Sequence, residues 1–324
     1  MIDRRAFLSG MAALAAAPRG VSAQTAGRTP RVGYVTSNAT SPNVDAFDQG
    51  LRDLGYEIGR NVVVEYRFAD GHPDRVAGLV ADVLRLNIDV LLAANPHVIR
   101  AARQAGTTLP IVGIDLETDP VEAGWIKSLA RPGGNLTGFF LDIPDLSGKQ
   151  LQLLAEAMPR LQRVGVVWDA QLAGTQLKAT EKAARTLKVQ LLSLPVRRPE
   201  DFAAAFERAR QQRAQAVVVL SSPLVFLSLE QVGALAVQHR LPAICVFPQF
   251  AAVGGLMGYG PKLPDLFRRA AGYVDRILRG TSPADLPIQR PAVFVLTINL
   301  GTAKVLGLAL PQSLILRADQ VVGA

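Results

Sequence analysis

Three acidic residues follow a short apolar run in the first half of the chain, and two of them could do chemistry. Asp115 and Glu117 come directly after residues 111–114, which are typical of a strand. Two neighbouring carboxyl groups can act as a general acid and a general base. They can equally accept hydrogen bonds from an ammonium group or from hydroxyls, so both interpretations stay open. Asp119, with Pro120 after it, is instead typical of a helix N-cap and predicts that a helix begins here.

Two other polar segments stand between a predicted strand and a predicted helix. They are Asn95-Pro96-His97 and Ser221-Ser222. Backbone N–H groups at the start of a helix bind anions, and hydroxyl groups can add to them. We therefore expect both segments to contact a ligand and to hold an anionic group. For His97 an ordinary position in the first helical turn is the alternative, and helix capping by Ser222 is compatible with ligand contact.

Aromatic side chains at strand ends could cover the apolar body of a small molecule. Trp168 ends one predicted strand, Phe247 ends another, and Tyr259 lies between two glycines. For Trp168, burial in the core is an equally good interpretation. Ser37, directly after the first predicted strand, completes the candidate ligand-binding residues.

The chain lacks the common sequence motifs of catalysis and of cofactor binding. No G-x-G-x-x-G follows the first predicted strand, and neither a G-x-x-x-x-G-K-[ST] loop nor a G-x-S-x-G elbow occurs. The three histidines do not stand at metal-ligand spacing from other ligands. Cys245 is the single cysteine, and its apolar surroundings predict burial. We therefore expect no cofactor, no metal and no catalytic residues.

Strands and helices alternate along the chain, and these elements must position the polar residues. Apolar runs predict strands in two series, at 31–36, 62–66, 88–92, 111–114 and 136–140, then at 164–168, 189–194, 216–220, 243–247, 254–259 and 293–298. Helical spacing of apolar residues predicts helices between them, at 44–54, 73–86, 98–105, 172–187, 199–213, 224–240 and 263–278. This alternation is typical of α/β proteins with parallel sheets, and two series predict two domains. Ligands bind such sheets beyond the carboxyl ends of the strands.

Composition and charge limit the classes of partner. Hydrophobic residues make up 49% of the chain and charged residues 19%, which is typical of a globular protein. The net charge is +8, but the basic residues are scattered over predicted helices without a dense basic block. We therefore expect no nucleic-acid partner. No uninterrupted apolar run long enough to span a membrane follows the N-terminus, so the mature chain is expected to lack a membrane span.

The N-terminus has the layout of an export signal. Arg4 and Arg5 precede the apolar residues 6–17, and Val21-Ser22-Ala23 offers small residues for cleavage. This pattern predicts a signal peptide of the twin-arginine type over residues 1–23. No cysteine stands directly after the cleavage site, so we expect a soluble periplasmic protein without a lipid anchor.

Many short stretches of the chain together carry a family resemblance. They are 47–55 (FDQGLRDLG), 59–62 (GRNV), 109–112 (LPIV), 119–121 (DPV), 128–138 (SLARPGGNLTG), 239–243 (HRLPA), 254–257 (GGLM), 259–260 (YG), 284–287 (ADLP) and 299–308. On these stretches the chain resembles the bacterial extracytoplasmic solute-binding proteins of ABC transporters, in the group related to tryptophan- and tyrosine-binding receptors.

The resemblance implies a fold of two Rossmann-like lobes, the type I periplasmic-binding-protein fold, joined by a hinge of three crossovers. It implies a first lobe of residues 31–141 plus 254–281 and a second lobe of residues 146–247 plus 290–320. Relatives that bind amino acids usually carry a Gly-Thr-Pro-type loop where this chain has Ala94-Asn95-Pro96. They often carry an Asp where this chain has Ser221-Ser222, so the resemblance leaves the solute open.

The implied function is that of the periplasmic substrate-binding component of an ABC importer, not that of an enzyme. Hinge closure would capture a small organic solute, either an amino acid or an aromatic or other organic carboxylate. The partner would be the transporter permease at the inner membrane, and the protein is expected to be a monomer. Two alternatives are a ligand-sensing periplasmic module for a membrane receptor and an acid/base enzyme that uses Asp115 and Glu117.

Overall fold

The computed structural model describes residues 28–37, 42–141, 143–172 and 174–323, so the predicted signal peptide lies outside the described residues. In chain order the first elements are β1 (Arg31–Thr36), α1 (Pro42–Asp53), β2 (Val63–Phe68), α2 (Val76–Leu84), β3 (Val90–Ala93), α3 (Pro96–Gln104), β4 (Ile111–Asp115), β5 (Leu136–Phe140) and α4 (Ile143–Ala157). They are followed by β6 (Arg163–Asp169), α5 (Gly174–Leu187), β7 (Gln190–Val196), α6 (Asp201–Gln211), β8 (Ala216–Val219), α7 (Pro223–Leu227), α8 (Leu229–Gln238) and β9 (Ala243–Cys245). The last are β10 (Met257–Pro261), α9 (Leu263–Leu278), β11 (Phe294–Asn299), α10 (Leu300–Val305), α11 (Gln312–Ile315) and β12 (Gln320–Val322).

The first sheet has five parallel strands in the order β2-β1-β3-β4-β5. Strands β3 and β4 are buried along their whole length, as parallel strands are when helices cover both faces. Val32 and Tyr34 of β1 pack in one apolar cluster with residues of α1 and α9. Val35, which points to the opposite face, packs with residues of α2 and α3. We call this sheet with α1, α2, α3 and α9 the first lobe.

The second sheet has seven strands in the order β12-β11-β10-β9-β8-β6-β7. Strands β10 and β11 pair antiparallel, and the other neighbouring pairs are parallel. We call this sheet with the remaining helices the second lobe. The α/β class predicted from the sequence is confirmed. The assignment of 254–281 to the first lobe is wrong for β10, because β10 pairs with both β9 and β11.

The chain passes between the lobes three times: between β5 and α4, between β10 and α9, and between α9 and β11. Helix α9 returns to the first lobe, where it packs along α1 and against β3, β4 and β5. Gly50 lets α1 and α9 approach closely, since a Cβ there would lie 2.5 Å from the carbonyl oxygen of Arg268. In the last crossing the Gln289 N–H donates to the Gly138 carbonyl (2.9 Å), and the Phe140 N–H donates to the Gln289 carbonyl (3.0 Å).

Three local predictions differ from the structure. The helix predicted at Asp119 is only a turn, in which the Asp119 carboxylate accepts from the Val121 and Glu122 N–H groups. Gly124, at a φ of 67°, then redirects the chain. The helix predicted over 224–240 is two helices that meet at Ser228, and α4 was not predicted at all. Within the described ranges no helix is long and apolar enough to cross a membrane.

Candidate ligand-binding cleft

A cavity lies between the two lobes. It sits at the carboxyl ends of β1, β3 and β4 in the first lobe and of β8 and β9 in the second, where an open α/β sheet binds ligands. The first lobe contributes Thr36, Ser37, Asn43, Ala94, Asn95, Ile114, Leu116, Glu117, Leu263 and Phe267. The second lobe contributes Ser222, Pro223, Phe226 and Phe247.

Asp115 ends β4 directly behind the cavity wall and is fully buried. Its Oδ1 accepts hydrogen bonds from the N–H groups of Glu117 (2.7 Å) and Thr118 (3.0 Å), which fold the chain into a tight turn. Its Oδ2 is buried and has no hydrogen-bond donor among the described residues. The turn therefore holds the Glu117 side chain at the cavity with a second carboxyl group next to it.

Glu117 connects the two lobes directly. The Ser221 hydroxyl, which follows β8, donates to Glu117 Oε1 over 2.6 Å. Gln176 on α5 fixes Ser221 through two bonds of 2.9 Å, because its Nε2 donates to the Ser221 carbonyl and its Oε1 accepts from the Ser221 N–H. Gln176 and Ser221 are both about 1% exposed. The contact between the lobes is therefore built on a rigid and buried support.

The two carboxyl groups shift each other's protonation. Burial, and then the negative charge of Asp115, raise the pKa of Glu117 from 4.5 to about 8, and the Ser221 hydrogen bond partly opposes this shift. Burial raises the pKa of Asp115 as well, against the hydrogen bonds of its own turn. Because two neighbouring carboxylates cannot both ionise readily, the raised pKa of Glu117 keeps a proton on the pair at neutral pH.

Asn95 and Ser222 begin helices on opposite sides of the cavity. Asn95 Oδ1 accepts from the Val98 N–H at the start of α3, and Asn95 Nδ2 donates to the Ser37 hydroxyl, both over 3.1 Å. Ser222 caps α7 in the same way by accepting from the Val225 N–H over 3.1 Å. These side chains line the cavity while they serve as N-caps, so capping and a place in the cleft are compatible for both.

Comparison with known proteins identifies the family. Residues 32–322 match the family described as ABC transporter substrate binding protein. This chain belongs to that family. The match covers both lobes of the substrate-binding protein, including all three passages between them. Its family is one of substrate-binding proteins and not one of enzymes.

The substrate-binding protein is similar to receptors for aromatic amino acids. It is 24% identical to the tyrosine-binding protein of Clostridioides difficile (strain R20291) over 264 residues, which cover 80% of this chain and 75% of the relative. The solved ABC domain in complex with L-Trp from Streptococcus pneumonia matches with a TM-score of 0.83 and 20% identity, covering 91% of this chain and all of that one. A conserved domain protein from Vibrio cholerae matches with a TM-score of 0.81 and 24% identity at the same coverage.

Five of the predicted ligand-binding residues line the cavity, namely Ser37, Asn95, Glu117, Ser222 and Phe247. Asp115 and Ser221 lie behind Glu117 and contact it, as described above. Pro96 and His97 start α3 outside the lining. Burial, and then the charge of Arg100, lower the pKa of His97, while Asp169 of the second lobe opposes this shift.

The structure does not bring Trp168 and Tyr259 to the cavity. The Trp168 indole N–H donates to the Ser193 hydroxyl over 2.9 Å, so the ring lies over the neighbouring strand β7. Tyr259 of β10 stacks on Phe294 of the neighbouring strand β11, with ring centroids 6.1 Å apart, and does not line the cavity. Both positions follow from strand pairings in the second sheet that the sequence did not specify.

Several lining residues were not predicted from the sequence. Phe226 meets Phe247 edge-on with ring centroids 5.0 Å apart, which forms the apolar wall of the second lobe. Leu263 and Phe267 form the facing wall from the start of α9. Their spacing of four residues on an amphipathic helix was visible in the sequence. Their place in the cleft depends on the return of α9 to the first lobe.

The raised pKa of Glu117 predicts a pH dependence of stability. The folded protein holds the Glu117 proton more tightly than the unfolded chain, so stability falls as pH rises from about 4.5 to about 8. The loss for this one group is at most about 1.4 kcal/mol per pH unit. We expect Glu117→Gln to lose less unfolding free energy than the wild type between pH 5 and pH 8, as measured by urea unfolding. Glu122→Gln, at an exposed position of the same loop, should keep the wild-type slope, and equal slopes in all three proteins would contradict the prediction.

Proposed function

We propose that this protein is the periplasmic substrate-binding component of an ABC importer and captures a small organic solute between its lobes by hinge closure. The observation that carries the proposal is the cavity itself, which residues of both lobes line. Beside the cavity, the Glu117–Ser221 hydrogen bond joins the two lobes. Polar groups from strand ends and aromatic walls from both lobes are the usual composition of a site for a small organic molecule. An amino acid, or an aromatic or other organic carboxylate, matches this composition.

The conformation supports hinge closure. The chain resembles the L-Trp complex from Streptococcus pneumonia with a TM-score of 0.83. It resembles the ligand-free, open structure of a substrate binding protein from Clostridium difficile with a TM-score of only 0.65, at the same 20% identity. A hinge that opens would separate Ser221 from Glu117 and expose the cavity, and a bound solute would shift the population towards the closed form.

The remaining parts of the proposal concern compartment and partner. The predicted signal peptide over residues 1–23 supports export to the periplasm. The family description names an ABC transporter, which supports a permease as the partner that would receive the solute. We place this permease at the inner membrane and expect the receptor to act as a monomer. In an importer, the permease must bind the solute-loaded form of the receptor in preference to the solute-free form.

Ligand screening tests the proposal. Protein that has been unfolded, stripped of ligand and refolded is heated with amino acids, aromatic carboxylates and neutral aromatic solutes. A solute at one hundred times its Kd should raise the unfolding free energy by about 2.7 kcal/mol, seen as a higher Tm. Small-angle scattering should show a smaller radius of gyration with that solute than without it. No shift with any compound would overturn the proposed ligand class, and a shift without compaction would overturn hinge closure.

A pair of aromatic variants locates the site. Phe226→Ala removes part of the cavity wall and should weaken solute binding by at least tenfold in calorimetry. Phe294→Ala removes a half-buried ring that stacks on Tyr259 outside the lining, and it should bind as the wild type does. Equal weakening in both variants would place the solute elsewhere.

A further inference from the structure

The charge of the cavity lining is unbalanced. Among the described lining residues Glu117 is the one titratable side chain, and no lysine, arginine or histidine stands with it. A second carboxyl group, that of Asp115, is buried directly behind it. His97, just outside the lining, has Arg100 and Asp169 as its charged neighbours. A fully ionised pair would therefore place two negative charges beside an apolar cavity without a cation of the protein.

The hydrogen bonds of Asp115 show how the protein limits this charge. Both backbone donors of its turn go to Oδ1, and Oδ2 is buried without a donor. A buried carboxylate oxygen without a donor is costly. The Asp115 charge lies close enough to Glu117 to raise the Glu117 pKa, so a proton on Glu117 removes the repulsion between the two carboxyl groups. In the solute-free pair Glu117 thus carries a proton, which limits the negative charge beside the cavity.

We propose that the Asp115–Glu117 pair binds a protonated amine of the solute, and that this amine takes the place of the proton that the solute-free pair holds. The inference rests on the function proposed above and names the chemical group that the site selects. The ammonium group keeps its three hydrogens and donates to Glu117, and the proton of Glu117 leaves to water. No covalent bond of the solute changes, and the total charge of protein and solute falls by the one proton released.

The same exchange connects solute binding to the contact between the lobes. Ser221 donates to Glu117, and a hydrogen bond to an ionised acceptor is shorter and stronger than one to a neutral acceptor. Ionisation of Glu117 by the arriving amine therefore strengthens the bond between Glu117 in the first lobe and Ser221 in the second. A carboxylate solute without an amine brings no such change and meets the negative charge of Asp115.

Matched probes separate the amine from the rest of the solute. Titration calorimetry compares L-tyrosine and L-leucine with the amines tyramine and isoamylamine, and with the acids 3-(4-hydroxyphenyl)propionate and 4-methylpentanoate. At least one amine-bearing probe should bind ten times more tightly than its matched acid. In buffers of different ionisation heat, close to one proton should be released per amine bound at pH 7, and clearly less at pH 9.

Variants assign the effect to the pair. Glu117→Gln should lose amine binding by at least tenfold and should release no proton, whereas Glu122→Gln should behave as the wild type does. If Glu117→Gln does not fold, the proton count on the wild-type protein decides. Acids that bind as tightly as amines, amine binding without proton release, or no binding of any amine would overturn the inference. In each of these cases the proposed function stands as long as some solute of the wider screen still stabilises the protein.

Discussion

Replacing Gly138 with alanine is expected to lower the free energy of unfolding by roughly 3 kcal/mol or more. Gly138 lies in β5 at a φ of 130°, which side chains rarely adopt, and a Cβ there would lie 2.0 Å from the Gly113 carbonyl oxygen. Gly113 is its direct partner on β4, so the clash is with the backbone of a central strand and cannot be relieved by a rotamer change. Urea unfolding at fixed pH measures the loss.

Two other glycines serve as controls for this variant. Gly106 has a φ of 66° with nothing within 4 Å of the added Cβ, so Gly106→Ala carries backbone strain without a clash. Gly134→Ala carries neither and should be close to neutral. A loss for Gly138→Ala no larger than that for Gly106→Ala would show that the strand contact does not constrain this position.

Gln176→Leu is expected to lower both stability and solute affinity. Leucine fills a similar volume but leaves the Ser221 N–H and carbonyl buried without partners, at about 1–3 kcal/mol for each group. Ser221 then loses the support that directs its hydroxyl to Glu117, so the solute that the screen identifies should bind at least tenfold more weakly. Urea unfolding and titration calorimetry measure the two effects.

The matched control is Gln211→Leu on α6. Gln211 is exposed and donates to Glu207 at the surface, where the loss of one hydrogen bond should cost less than about 0.5 kcal/mol. Its solute affinity should equal that of the wild type. If Gln176→Leu retained wild-type affinity despite its lower stability, the Ser221–Glu117 bond would have no part in solute binding.

The sequence predicted the elements of this fold better than their partners. Apolar runs and helical spacing located most strands and helices, because those patterns arise from local burial. Strand β10 was placed in the wrong lobe, since pairing with β9 and β11 is a non-local property. Helix α4 was missed although Leu151, Leu154 and Ala157 recur at intervals of three residues, because it lies between the last strand of the first predicted series and the first strand of the second.

In the candidate site, too, the sequence located the residues whose place depends on local pattern and missed those whose place depends on distant packing. The rule that ligands bind beyond the carboxyl ends of parallel strands located the loops of Asn95, Glu117 and Ser222. Phe267 could not be placed by that rule, because it belongs to a helix that reaches the cleft from a distant part of the chain. The support of Ser221 by Gln176 depends on a helix packing that leaves no pattern in the sequence.

The path of α9 sets the order in which the protein can be completed. The first lobe lacks the helix that covers α1 until residue 278 has been synthesised, by which point most of the second lobe has already emerged. The second sheet is likewise incomplete until β11 and β12, near the C-terminus, have been synthesised. Late segments of the chain thus complete both lobes, so neither lobe has all of its elements until synthesis is nearly over. A chain interleaved in this way suits an export route that accepts proteins after they have folded.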